Sequence, residues 1–184
     1  ITGPNAAGKT TTIKATIINL LLTQQIGLGF FDECQTSTFD YIHCYLNIPD
    51  SCSRDSLFQA EARRCKDILD CIIKYPKKSH FCIFDELYSG TNPYEAISSA
   101  YSYLNHISKN NNVRFLLTTH YIRLCNLLDK KSKITNKSMK TKLDDNNNPI
   151  YTYKIQNGIS NVKGGVSVLR NLKYPEHIIN MSTY

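Results

Sequence analysis

Apolar and polar positions along the chain follow two rhythms. After Ser56, the residues Phe58, Ala62, Cys65, Ile68, Leu69, Ile72 and Ile73 recur at spacings of three and four. That pattern predicts an amphipathic helix of about five turns. Glu61, Arg63, Arg64, Lys66, Asp67 and Asp70 fall on its polar side, Ser56 suits its N-cap, and Pro76 stops it. Thr11 to Leu22 carries no Gly or Pro and is mostly aliphatic, so it reads as a buried helix. Ala96 to Ile107, Ile122 to Leu128 and Gly165 to Leu172 read as further helices, and a last turn after Tyr174-Pro175-Glu176 runs through Ile179. The second rhythm is a short run without polar interruption. Phe81-Cys82-Ile83-Phe84 and Val113 to Thr118 predict parallel strands covered on both faces. Ile26 to Phe31 reads as another short strand, and Phe39 to Tyr45 as a strand or a loop crossing the sheet. Pro49 to Asp55 and Gly90 to Pro93 read as a loop and a turn. Lys133 to Leu143 and Ile150 to Gln156 flank the polar run Asp144 to Pro149, which predicts a hairpin. The alternation predicts an α/β fold: a mostly parallel sheet flanked by helices, with a β-hairpin near the C-terminus.

Composition changes this picture little. With 184 residues, 41% hydrophobic and 20% charged, the chain has the profile of one soluble globular domain. No apolar run reaches the ~20 residues of a membrane span, and no signal peptide shows in the chain, which starts Ile1-Thr2-Gly3 with no charged n-region. Membrane partners are not expected. The net charge of +7 admits nucleic acid nearby. Much of it, however, lies in Lys130, Lys131, Lys133, Lys137, Lys140 and Lys142, which read as a solvated hairpin. The seven cysteines form no C-x-x-C pair, which argues against zinc. Their odd number, without a secretion signal, points to reduced thiols in an intracellular (cytoplasmic or nuclear), not secreted, protein.

The chemistry begins at the N-terminus. Gly3-Pro4-Asn5-Ala6-Ala7-Gly8-Lys9-Thr10 fits the phosphate-loop pattern G-x-x-x-x-G-K-[ST] without a mismatch. Its backbone N–H groups are expected to cradle the phosphates of ATP, Lys9 to reach the β- and γ-phosphates, and Thr10 to hold Mg2+. Thr11 opens the helix whose N-terminus lies under the anion. Ile1 and Thr2 read as the end of a strand feeding the loop. The strands expected before it are missing, so residues 1–184 read as a single domain of a longer protein. Asp85 and Glu86 end one apolar run, and His120 follows the next. A carboxylate at Asp85 can hold the magnesium opposite Thr10. Glu86 can polarise a water for attack on the γ-phosphate, and His120 can sense that phosphate. All four elements fall at strand ends, where open α/β sheets bind ligands.

The stretches Thr2-Gly3-Pro4-Asn5…Gly8-Lys9-Thr10, Asp85-Glu86-Leu87…Gly90-Thr91-Asn92 and Thr118-Thr119-His120-Tyr121 resemble the ATPase (ABC-type) domain of the MutS DNA mismatch repair family. The first is shared with transporter and chromosome-maintenance ATPases; the other two discriminate. Ser56-Leu57-Phe58…Glu61 resembles that family's S-T-F-x-x-E, and Gly158…Gly165-Val166 and Tyr174-Pro175-Glu176 resemble motifs near its end. The chain departs from the family at Leu57, Ser89 and Lys163, where Thr, Arg and Ser are usual, as a divergent member would. The resemblance implies a Mg2+-dependent ATPase driving a dimeric clamp on DNA. The partner would be a second MutS-type ATPase subunit, identical or not, and Ser56 would serve the partner's ATP in trans. DNA, including mismatched DNA, would be held by regions outside this chain. The alternative it admits is an ATP-binding dimerisation module, with little turnover, acting in recombination or another DNA transaction.

Overall fold

Helical crossovers let short strands run side by side in one direction, and this chain uses two of them. The computed structural model describes residues 1–46, 56–129, 133–144, 149–162 and 164–181. The loop expected over 49–55, Cys52, Lys130, Lys131, Lys163 and the hairpin tip over 145–148 lie outside the described residues. Strand β1 (Tyr41–Tyr45) leads through α2 (Leu57–Lys74) to β2 (His80–Asp85), and α3 (Pro93–Ile107) leads on to β3 (Val113–Thr118). The three strands pair in parallel in the order β1-β2-β3, with Tyr41 beside His80 and Asp85 beside Thr118. Helix α1 (Lys9–Ile26) precedes them; α4 (Ile122–Asp129) follows. Then come the antiparallel hairpin of β4 (Lys137–Leu143) and β5 (Pro149–Asn157) and the short helices α5 (Gly165–Asn171) and α6 (Glu176–Met181). The expected α/β fold, with its parallel sheet, covering helices and late hairpin, is the one observed.

Helices lie on both faces of the sheet. Cys82 and Phe84 pack with Cys65, Ile68 and Ile72 of α2 and with Ala96, Ala100, Leu104 and Ile107 of α3. On the other face Ile83 packs with Ile13 and Ile17 of α1. Ile1 and Thr2 form a seam between the sheet and the hairpin. The Ile1 carbonyl accepts from Thr119 N–H at 3.1 Å, and the Thr2 carbonyl accepts from Met139 N–H at 2.8 Å. Among the described residues, no helix is long and apolar enough to cross a membrane.

Three expectations need correction. Ile26 to Phe31 is not a strand: Gly27, at φ +73°, caps α1 by donating to the Thr23 carbonyl, and Leu28 and Phe30 beyond it are exposed. The apolar run lacks a ladder partner, and its first glycine serves the left-handed turn that ends the helix. Helix α1 itself is buried along one stripe only, since Ile18 and Leu21 face outward. Glu61 is the third. It is not on a solvated face but is 2% exposed, while Ile73 is exposed.

The Glu61 carboxylate turns inward to the Ser89–Gly90 turn. It accepts from Ser89 N–H (3.0 Å), Ser89 Oγ (2.9 Å) and Gly90 N–H (3.0 Å). Gly90 is pressed against the start of α2, where a Cβ would come within 2.7 Å of Leu57. Removing the carboxylate takes away three hydrogen bonds to a charged acceptor, whose donors on Ser89 and Gly90 water can still reach in part. Glu61→Ala is therefore expected to lower the urea midpoint by an amount equivalent to about 1–3 kcal/mol. Glu61→Gln, which keeps an acceptor, is expected to lose less; equal losses would remove the turn's hydrogen bonds as the cause.

Candidate phosphate site at the strand ends

Two glycines and one left-handed alanine shape the loop. Ala6 has φ +63° and Gly8 φ +94°, and a Cβ on Gly8 would lie 3.2 Å from the Tyr153 ring. Only glycine fits both that backbone conformation and that approach. Gly8 has no side chain to cap α1, so the first-turn N–H groups of the helix face the loop. Asn5, Ala6, Gly8, Lys9, Thr10, Thr11 and Glu86 line one broad open cleft.

The loop and strand-end side chains lie near one another. The Lys9 ammonium, 6% exposed, donates to the Gly3 carbonyl at 3.0 Å and the Pro4 carbonyl at 3.2 Å, and stands 4.0 Å from the Glu86 carboxylate. Thr10 Oγ1 donates to Asp85 at 2.9 Å. The hydroxyl's lone pairs stay free, so the same contact leaves an oxygen available to a cation. Thr118, buried at the end of β3, also donates its hydroxyl to Asp85 and helps fix the carboxylate. His120 Nδ1 is 3.7 Å from Glu86, an ion-pair distance too long for a direct hydrogen bond. His120 is nevertheless the main cause that holds the Glu86 carboxyl below its ordinary value; desolvation opposes it, and Lys9 helps. Glu86 is thus ionised at neutral pH.

Glu86 has φ +54° and Tyr88 φ +58°, an unusual backbone held by its surroundings. Tyr45 Oη accepts from Tyr88 N–H at 3.2 Å, and Glu61 fixes the next two residues. Ser56 stands apart from this cluster in its contacts: it caps α2, exchanging hydrogen bonds with Gln59 in a capping box.

Sequence reasoning missed three contributors. Thr118 was visible as the end of an apolar run and in the stretch Thr118-Thr119-His120-Tyr121, but was given no role. Met139 and Tyr153 come from the hairpin: Met139 lies against Gly3, and the Tyr153 ring, on a residue at φ +57° that is 68% exposed, lies beside Gly8. No spacing in the sequence ties the hairpin to the loop. Gly164 also approaches the loop, since a Cβ there would come within 2.8 Å of Pro4.

The chain is similar in sequence to several known proteins. The chain is 29% identical over 194 residues to the DNA mismatch repair protein MSH2 of Saccharomyces cerevisiae, covering 99% of this chain and 19% of that protein. It is 28% identical over 184 residues to the DNA mismatch repair protein MutS of Finegoldia magna, covering 97% of this chain and 20% of that one. It is 29% identical over 181 residues to the endonuclease MutS2 of Staphylococcus aureus, covering 98% of this chain and 22% of that one. The chain therefore spans about a fifth of the length of these relatives. The family model of MutS domain V matches residues 1–184. With that match running its whole length, the chain belongs to the MutS family as a domain V.

Proposed function

We propose that residues 1–184 form one ATPase domain of a longer MutS-like DNA repair protein, binding ATP with Mg2+ and hydrolysing it. The observation that carries this reading is the meeting of the loop and the strand ends: Thr10 lies 2.9 Å from Asp85, and Lys9 and His120 both approach the same oxygen of Glu86. The donor set fits magnesium, a hydroxyl and a carboxylate being hard oxygen ligands. When bound, the ion neutralises charge on the phosphate oxygens. The backbone from Gly3 to Gly8 and the start of α1 hold the phosphates. Lys9 exchanges its two carbonyl acceptors for phosphate oxygens. Glu86 accepts a proton from the attacking water, and His120 positions Glu86 and contacts the γ-phosphate. The exposed Tyr153 ring offers a flat face at the loop's rim on which a base can stack.

Two domains pairing head to tail would place the α2 N-terminus, with Ser56, over the partner's ATP as an anion clamp. ATP binding then closes the pair, and hydrolysis releases it. DNA is contacted by parts of the protein outside this chain. Steady-state ATPase measurement on the complete protein tests the activity. Turnover that magnesium chelation abolishes is expected. Tight ATP binding without turnover would leave the dimerisation module as the correct reading.

Two variants probe the roles. His120→Asn removes the main cause holding the Glu86 carboxyl down, while desolvation remains. A group with a depressed pKa stays ionised to lower pH, so relieving the depression moves the acid limb of kcat/KM to higher pH. An unmoved acid limb would remove Glu86 as the titrating base. For action in trans, Ser56→Ala is expected to lose about 10-fold or more in turnover. Activity returns in mixed dimers whose only competent phosphate loop faces an intact Ser56, and failure of that rescue counts against the clamp.

A further inference from the structure

At the other end of the same strands lies a cluster that the phosphate site does not use. His43 of β1, Cys71 of α2 and His80 of β2 bring one ligand atom each to within 4.8 Å of one another. We propose that these three residues form a zinc-binding site that fastens the C-terminal end of α2 to the sheet. This inference is independent of the nucleotide reading.

The hydrogen bonds already set the ligand atoms. His80 Nε2 faces the Tyr75 carbonyl at 3.1 Å, and a carbonyl only accepts, so Nε2 carries the proton and Nδ1 is bare. His80 Nδ1 lies 3.1 Å from His43 Nε2, which therefore donates to it. A ligating histidine commonly has its second nitrogen bonded to a carbonyl, as His80 has here. Tetrahedral zinc, with Zn–N near 2.05 Å and Zn–S near 2.3 Å, holds its ligand atoms roughly 3.4–3.6 Å apart. The two nitrogens are thus nearly in place, and the sulfur needs to close by at most about 1.2–1.4 Å, within reach of a side-chain rotation. On binding, Cys71 releases its thiol proton and the His43 proton moves from Nε2 to Nδ1; water completes the coordination. The Tyr41 ring stacks on His80 at 5.1 Å and on Tyr75 at 5.0 Å. The two tyrosine rings form an apolar wall that limits solvent access. Two imidazoles and a thiolate suit zinc and disfavour magnesium or calcium.

A missing C-x-x-C pair does not bear on this proposal, because its three ligands come from elements joined only by folding. The test uses Co2+ as an optical probe and Zn2+ as competitor on purified, chelator-treated protein. One Co2+ per chain with a thiolate-to-cobalt charge-transfer band is expected, and Zn2+ should displace it. Cys71→Ser abolishes the band and the rise in melting temperature on adding Zn2+, while Cys34→Ser, at an exposed cysteine, leaves both. His43→Gln weakens Zn2+ binding by about 100-fold or more. Cobalt held at Thr10 and Asp85 has only oxygen ligands and gives no thiolate band, so that outcome overturns the proposal. A band that survives Cys71→Ser overturns it as well.

Discussion

Lys9→Ala is expected to lower ATP affinity by about 10²–10³-fold. The Lys9 ammonium is nearly buried, held by two backbone carbonyls and facing the Glu86 carboxylate. In the nucleotide complex its charge-assisted bonds to phosphate oxygens are worth roughly 1.5–3 kcal/mol each. Two such bonds account for the loss. Without the ammonium, Glu86 also repels the incoming phosphates with nothing between them. Lys9→Met keeps the aliphatic stem and separates charge from packing; it should bind as poorly as Lys9→Ala. Titration with a fluorescent ATP analogue in magnesium measures both, and an unchanged Kd would end the phosphate-loop assignment.

Glu86→Gln is expected to cut kcat by about 10²–10³-fold while ATP still binds within a few-fold of the parent affinity. Glutamine has nearly the same shape and can still orient a water, but it cannot take the proton. Thr10, Asp85 and Lys9 keep their own hydrogen bonds, so the binding half of the site is untouched. A single-turnover experiment should therefore show ATP held intact on the protein. Parent-like turnover in this variant would falsify the role of Glu86 and move the search for a base elsewhere.

Much of this site is legible in the chain because its parts are contiguous or end-of-strand features. The phosphate loop is a local motif, and Asp85-Glu86 is visible as the point where an apolar run gives way to carboxylates. Parallel pairing then brings Asp85 next to Thr118 by register alone. Helix spacing located α2 and its cap, Ser56. The same spacing misplaced Glu61, because periodicity reports which face a residue is on and not that a distant turn needs three acceptor contacts there. Ile26 to Phe31 failed for a related reason: an apolar run is a strand only if a neighbour supplies its hydrogen bonds. The Tyr153 ring and the His43–Cys71–His80 cluster depend on contacts between remote segments, to which local pattern is blind.

The brace from Glu61 to the Ser89–Gly90 turn has a mechanical consequence. It welds the N-terminal turn of α2, capped by Ser56, to the segment that follows Glu86. Under the proposed head-to-tail pairing, a shift at one nucleotide would then be felt as a tug at the other, and such crosstalk would favour firing in alternation.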